Sequence, residues 1–313
     1  IYTDLAFSFY SKLLQKHLHE IDKNQLTIIP SKTISFLSFD CLLQEQSTKL
    51  NYSKLPYLAI EKSISYKHSV QKRSVNTINP TNLYLGICPK FEGIKLNNLA
   101  GATTEIKTIA KKLNGNILEN SVDLKSSILN SIPNYKIIHF ATHSLMNTQQ
   151  PSYSSLLLGE DTLETKNKLY SYEIRNNQLN ADLVVLSACN TGNGKLNSGE
   201  GVASLARSFN YAGAKSVLVG LWALPDFSTS TIIESFFDEL AQNDKSTALH
   251  NAKTIYLNSA DEHLANPIFW AGLQLIGDEN EICLDQPLSQ SNRLLYIVAI
   301  ITILLISFRK KLF

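Results

Sequence analysis

An excess of charge of one sign is missing from this chain: 29 Lys and Arg stand against 27 Asp and Glu, a net charge of +2 over 313 residues. Mixed signs at that balance build no extended field, so polyanion binding through bulk charge is excluded and no nucleic-acid partner is expected. Cysteine is scarce as well. Cys41, Cys88, Cys189 and Cys283 lie far apart with no C-x-x-C pair, which argues against a zinc site or a disulfide framework; no metal and no cofactor is called for. Nucleotide-binding loops are lacking too, although glycines cluster at Gly192, Gly194, Gly199 and Gly201. Asn197 stands where G-x-G-x-x-G needs its last glycine, and Cys189 and Leu196 stand where a P-loop needs Gly and Ser or Thr. There is no signal peptide, and Ile1 falls inside a helical pattern. The chain is therefore expected to be the carboxyl-terminal piece of something longer.

What is present is a chain at 44% hydrophobic residues, ample for one α/β core with an accessory segment. Leu5, Phe9, Leu13, Leu14 and Leu18 recur at helical spacing, and 27–30 and 33–39 read as two short strands around a Pro-Ser turn. Polar residues and Asn79-Pro80 mark an internal boundary near 69–81. Strands and helices then alternate: strand 83–88, helix 104–113, strand 116–118, helix 122–129, strand 135–143. A small excursion over 155–169 and a short helix at 171–176 lead to a buried strand over 182–187. A helix over 200–211 stopping at Gly213, a strand at 216–222, two helices (230–240 and 247–257) and a last strand over 267–276 complete the core. This rhythm predicts an α/β fold with a mostly parallel sheet and helices on both faces. The divisions are an amino-terminal segment over 1–80, a core over 81–278, a linker over 279–293 and a tail over 294–308.

Two strand ends carry the chemistry. The apolar run Leu183-Val184-Val185-Leu186 delivers Cys189 to a sheet edge, and the strand from Tyr135 delivers His143 to its own carboxyl end, where open α/β sheets gather reacting groups. An imidazole beside a thiol stabilises thiolate and shuttles its proton. The interval from 143 to 189 is close to the roughly 50 residues between His and Cys in caspases. His139, four residues earlier, reads as a core histidine; on a strand the two imidazoles stand about 13 Å apart, too far to share a metal. Glu200, opening a helix, is favourable there on dipole grounds.

The tail is a different matter. The run that starts at Leu294 and ends at Phe308 carries no charge and is bracketed by Arg293 and Arg309-Lys310-Lys311. It reads as a single-pass membrane anchor, short against the roughly 17 to 25 residues of a typical span but flanked by side chains that can snorkel. The positive-inside bias places the basic end in the cytoplasm and the folded domain across the bilayer.

His139-Phe140-Ala141-Thr142-His143, Leu186-Ser187-Ala188-Cys189-Asn190-Thr191-Gly192, Gly199-Glu200-Gly201-Val202-Ala203-Ser204-Leu205-Ala206-Arg207 and Gly220-Leu221-Trp222 together resemble the CHAT family. These are caspase-like and separase-like peptidases, often fused to TPR repeats. The resemblance implies a caspase-hemoglobinase fold, His143 as base, Cys189 as nucleophile, a protein or peptide substrate, and upstream TPR-like repeats or a sensor partner. Backbone N–H groups of Ser144 and Cys189 are expected to hold the oxyanion, with Ser144 replacing the family's usual Gly. Asp226 matches an acidic position that resembles the separase residue receiving a basic side chain before the scissile bond; it reads equally well as a helix-terminal carboxylate. Trp222 is expected to pack at the crevice beside the substrate. The reading is a membrane-anchored cysteine endopeptidase; the alternative is a catalytically silent CHAT module acting as a membrane-tethered scaffold.

Overall fold

Every residue of Leu183–Leu186 and Ser216–Gly220 is buried, as expected of strands covered by helices on both faces. The computed structural model describes residues 1–18, 23–48, 50–67, 79–91, 99–119, 123–147, 149–159, 165–187 and 200–284. In chain order the strands are β1 (Gln25–Ile28), β2 (Ser63–Tyr66), β3 (Asn82–Ile87), β4 (Asn116–Leu118), β5 (Tyr135–Phe140), β6 (Ser144–Leu145), β7 (Ser155–Leu157), β8 (Lys168–Tyr170), β9 (Leu183–Leu186), β10 (Ser216–Gly220) and β11 (Leu273–Gly277). The helices are α1 (Tyr2–Tyr10), α2 (Lys16–Leu18), α3 (Leu58–Glu61), α4 (Ala100–Lys112), α5 (Leu124–Ser131), α6 (Ser171–Asn176), α7 (Glu200–Ala212), α8 (Asp226–Glu239) and α9 (Lys245–Ser259).

Eight strands form one sheet in the order β1-β2-β11-β10-β9-β5-β3-β4, and β6, β7 and β8 form a small antiparallel sheet beside it. From β4 to β10 the neighbours are parallel. At β11 the direction reverses, and β2 and β1 follow β11. The mostly parallel sheet expected from the alternation is present. The amino-terminal segment, expected as an accessory, supplies two strands to it.

Period-two alternation assigns each face its helices. Phe140 of β5 packs against Phe209 of α7, with ring centroids 5.5 Å apart, whereas its neighbour His139 stacks on Phe237 of α8 at 5.8 Å. Burial of Leu205 and Phe209 on α7 contributes about 1.5–3 kcal/mol each. That helix stops at Gly213, whose φ of 120° is open to glycine and strained for other residues.

Two expected strands are corrected. Residues 33–39 form 3-10 turns, Lys32–Phe36 and Phe39–Cys41, because the alternating Ile34 and Phe36 find no neighbouring strand and stay exposed while Phe39 is buried. The last strand begins at Leu273, since Pro267 opens a 3-10 turn capped by the Asn266 side chain on the Ile268 N–H. The internal boundary near 69–81 lies largely outside the described residues. Ile1–Ile282 form one compact unit and Cys283–Phe313 a second. The expected anchor, 294–308, falls outside the described residues; among those described, no helix is long and apolar enough to cross a membrane.

Of the two added strands, β2 is fastened by a buried ion pair. Lys253 Nζ on α9 lies 2.5 Å from Asp40 Oδ1 and donates to the Leu273 carbonyl at 2.6 Å. Asp40 Oδ2 in turn accepts from the Tyr66 hydroxyl of β2 at 3.0 Å. Both charged side chains are buried, so removing one leaves the other without compensation. Lys253→Met is expected to lower unfolding free energy by about 3–5 kcal/mol, and Asp40→Leu/Lys253→Met to recover much of it, as measured by urea denaturation of each variant.

Candidate active site

The ladder between β5 and β9 pairs Ile137 with Leu183, Ile138 with Val184, His139 with Val185 and Phe140 with Leu186. It continues one rung further, where the Ser187 N–H donates to the Phe140 carbonyl at 3.0 Å. Parallel strands in register finish at the same edge. His143 stands three residues beyond Phe140, and Cys189 stands three residues beyond Leu186 in the chain. Cys189 itself lies outside the described residues. The strand expected to run to His143 ends at Phe140, so the histidine sits on the loop leaving the sheet.

That loop is held closely. The His143 carbonyl accepts from the Leu157 N–H at 2.8 Å, and the Thr142 hydroxyl donates to the Leu157 carbonyl. The His143 side chain is buried, and its ring lies 4.8 Å from that of Phe91 at 59°. Sequence reading did not single out Phe91; its signal was an aromatic shortly after the end of β3, the strand beside β5. Ser144 starts β6 opposite Leu156. Since the neighbouring pair, His143 with Leu157, carries the ladder hydrogen bond, alternation turns the Ser144 N–H away from β7.

His139 points to the other side of the sheet. Its Nδ1 lies 2.9 Å from the Tyr84 hydroxyl and its Nε2 lies 2.8 Å from Glu105 Oε1. All three side chains are buried, and the desolvated Tyr84 phenol, next to Glu105, is pushed well above its ordinary range. The core-histidine reading fits this position. Among the described residues no group of His, Cys, Asp and Glu is arranged to hold a metal ion.

Trp222 and Asp226 follow β10, the strand beside β9. The Trp222 indole N–H donates to the Ile268 carbonyl at 2.9 Å, and a Cβ on Gly272 would lie 2.7 Å from the indole ring. Trp222 thus clamps the exit of β10 to the segment before β11. Asp226 is the first residue of α8, yet its Oδ2 accepts from the Gly101 N–H at the start of α4, at 2.9 Å. A Cβ at Gly101 would fall 2.5 Å from that oxygen. The carboxylate caps a helix other than its own, a pairing across the sequence that local spacing does not reveal.

Residues 3–278 match the CHAT domain. The chain belongs to the CHAT family. This CHAT domain is 25% identical over 299 residues to tetratricopeptide repeat protein 28 of Homo sapiens, covering 82% of the chain and 12% of that protein. Its fold is similar to that of the Arg-specific cysteine proteinase gingipain R, with a TM-score of 0.50 and 9% identity over 90% of this chain and 67% of the other. The complex of the pro- and mature domains of RgpB from Porphyromonas gingivalis gives a TM-score of 0.51 at 9% identity, covering 89% and 68%. At such identity the likeness is one of fold.

Cys41 and Cys88 compete poorly as nucleophiles. Burial, with Glu119 adding to it, pushes Cys88 up to about 11, and burial next to Asp40 pushes Cys41 up to about 12. Thiols so raised stay protonated at neutral pH. Iodoacetamide at pH 7 is expected to leave Cys41 and Cys88 of the folded protein unmodified while the exposed Cys283 reacts, as read by peptide mass spectrometry; alkylation of Cys88 would reveal an available thiolate.

Proposed function

We propose that this CHAT domain is a cysteine endopeptidase acting through His143 and Cys189. The observation that carries the proposal is the register of β5 with β9, which gives both residues the same offset beyond paired strand ends. In this reading His143 takes the Cys189 proton, and the thiolate attacks the carbonyl carbon of the scissile peptide bond. The tetrahedral oxyanion accepts from the N–H groups of Ser144 and Cys189. Collapse breaks the C–N bond, with the His143 imidazolium giving its proton to the leaving amine, and water then hydrolyses the thioester. Asp226, its carboxylate oriented by the Gly101 N–H, is assigned to a basic side chain before the cut, with Trp222 shaping the crevice.

Control is assigned to upstream helical repeats; the similarity to a protein named for tetratricopeptide repeats supports such a partner. Membrane attachment through 294–308 belongs to the proposal and rests on the uncharged run and its basic flank. The folded domain is then placed across the bilayer from that flank.

A peptidyl electrophile with Arg or Lys next to the reactive group is expected to label Cys189 in wild-type protein and to leave Cys189→Ala unlabelled. With a cleavable substrate, His143→Ala should lower kcat/KM by about 10²–10⁴. Absence of labelling in the presence of the repeat region would favour a silent interaction module.

A further inference from the structure

Helices α6 and α7 and the turn Pro151–Tyr153 enclose a polar concavity of about 210 Å³. Ser204, Arg207, Ser208 and Tyr211 recur along α7 at intervals of three and four, so one helix face presents them together. Ser171 and Arg175, four apart on α6, answer them from the opposite wall. Helix faces turned towards each other usually meet through apolar side chains. On the side of the concavity they present hydroxyls and guanidiniums.

The charges are one-sided. Among the described residues no carboxylate lines the concavity, and neither Arg175 nor Arg207 has an acidic partner. Lys107, Lys112, Lys125, Lys215, Lys245 and Lys253, by contrast, each stand beside a carboxylate. Arg175 is also held in place, its guanidinium carbon 4.6 Å from the centre of the Tyr211 ring.

The serines brace the walls. Ser171 and Ser208 place their hydroxyl oxygens 2.6 Å apart, Ser208 donates to the Ser204 carbonyl, and Ser204 donates to the Pro151 carbonyl. Donors for a guest therefore come chiefly from the two guanidiniums, whose forked N–H groups match the oxygens of a tetrahedral anion. The volume suits a phosphoryl group with a few waters, at about 30 Å³ of liquid volume per water.

From these features we infer that the concavity is an oxyanion site that binds a phosphate group, held by Arg175 and Arg207 against a serine floor. The site stands independently of the peptidase reading, and binding alone tests it. Titration calorimetry of the full chain at constant ionic strength, with chloride as balancing anion, would use inorganic phosphate in one arm and N-acetyl-phosphoserine amide in the other. Saturable one-site binding is expected, weakened about tenfold or more by Arg175→Gln and by Arg207→Gln and unchanged by Lys215→Gln. Saturation by inorganic phosphate identifies free phosphate as a sufficient ligand; saturation by the ester alone identifies a phosphorylated side chain. Both variants should melt at the wild-type temperature without ligand. Failure of both ligands to saturate, or equal affinity in wild type and both arginine variants, overturns the site.

Discussion

The parallel ladder of β5 against β9 is the constraint on which the rest depends. Both strands are buried on two faces, and slipping the register by one residue would exchange those faces, putting Phe140 where His139 now meets Glu105 and Tyr84. The cost of burying His139 and Glu105 without their partners therefore helps to fix the height of β5 against β3 and α4. The height at which β5 releases His143 is set in part by polar contacts on the far side of the sheet.

Helix packing carries the same discipline outwards. Trp222 pins the exit of β10 to the segment before β11, and Asp226 pins the start of α8 to the start of α4. Asp40 and Lys253 join β2 to α9 and β11. These ties link residues far apart in the chain, and they surround the strand ends with supports that turn a shared edge into a shaped one. The family match spans the amino-terminal strands as well as the central ones, in keeping with their place in the sheet.

Much of this was legible in the residues. Buried runs such as 183–186 and 216–220 admit no solvent-facing strand, and Gly213 marks the end of α7 as its positive φ requires. The amino-terminal segment was harder to read. Ser63-Ile64-Ser65-Tyr66 is short and half polar, and it is a strand because β1 and β11 flank it; Ile34 and Phe36 alternate like a strand yet have no such neighbours. Reversal at β11 likewise follows from tertiary pairing. For the candidate site, His143 was placed by its position after an apolar run, whereas Phe91 beside its ring and the Asp226–Gly101 contact depend on approaches that spacing does not encode. Arg175 and Arg207 face one concavity because α6 packs on α7.

We propose that the shared strand register makes His143 the proton partner of Cys189. Its most direct test is the rate of Cys189 alkylation by iodoacetamide as a function of pH, followed by mass spectrometry of the Cys189 peptide in wild type and His143→Ala. Wild-type Cys189 is expected to become reactive well below the free-thiol value of about 8.5, and the inflection to move upward when the imidazole is removed. Superimposable profiles in the two proteins would contradict it.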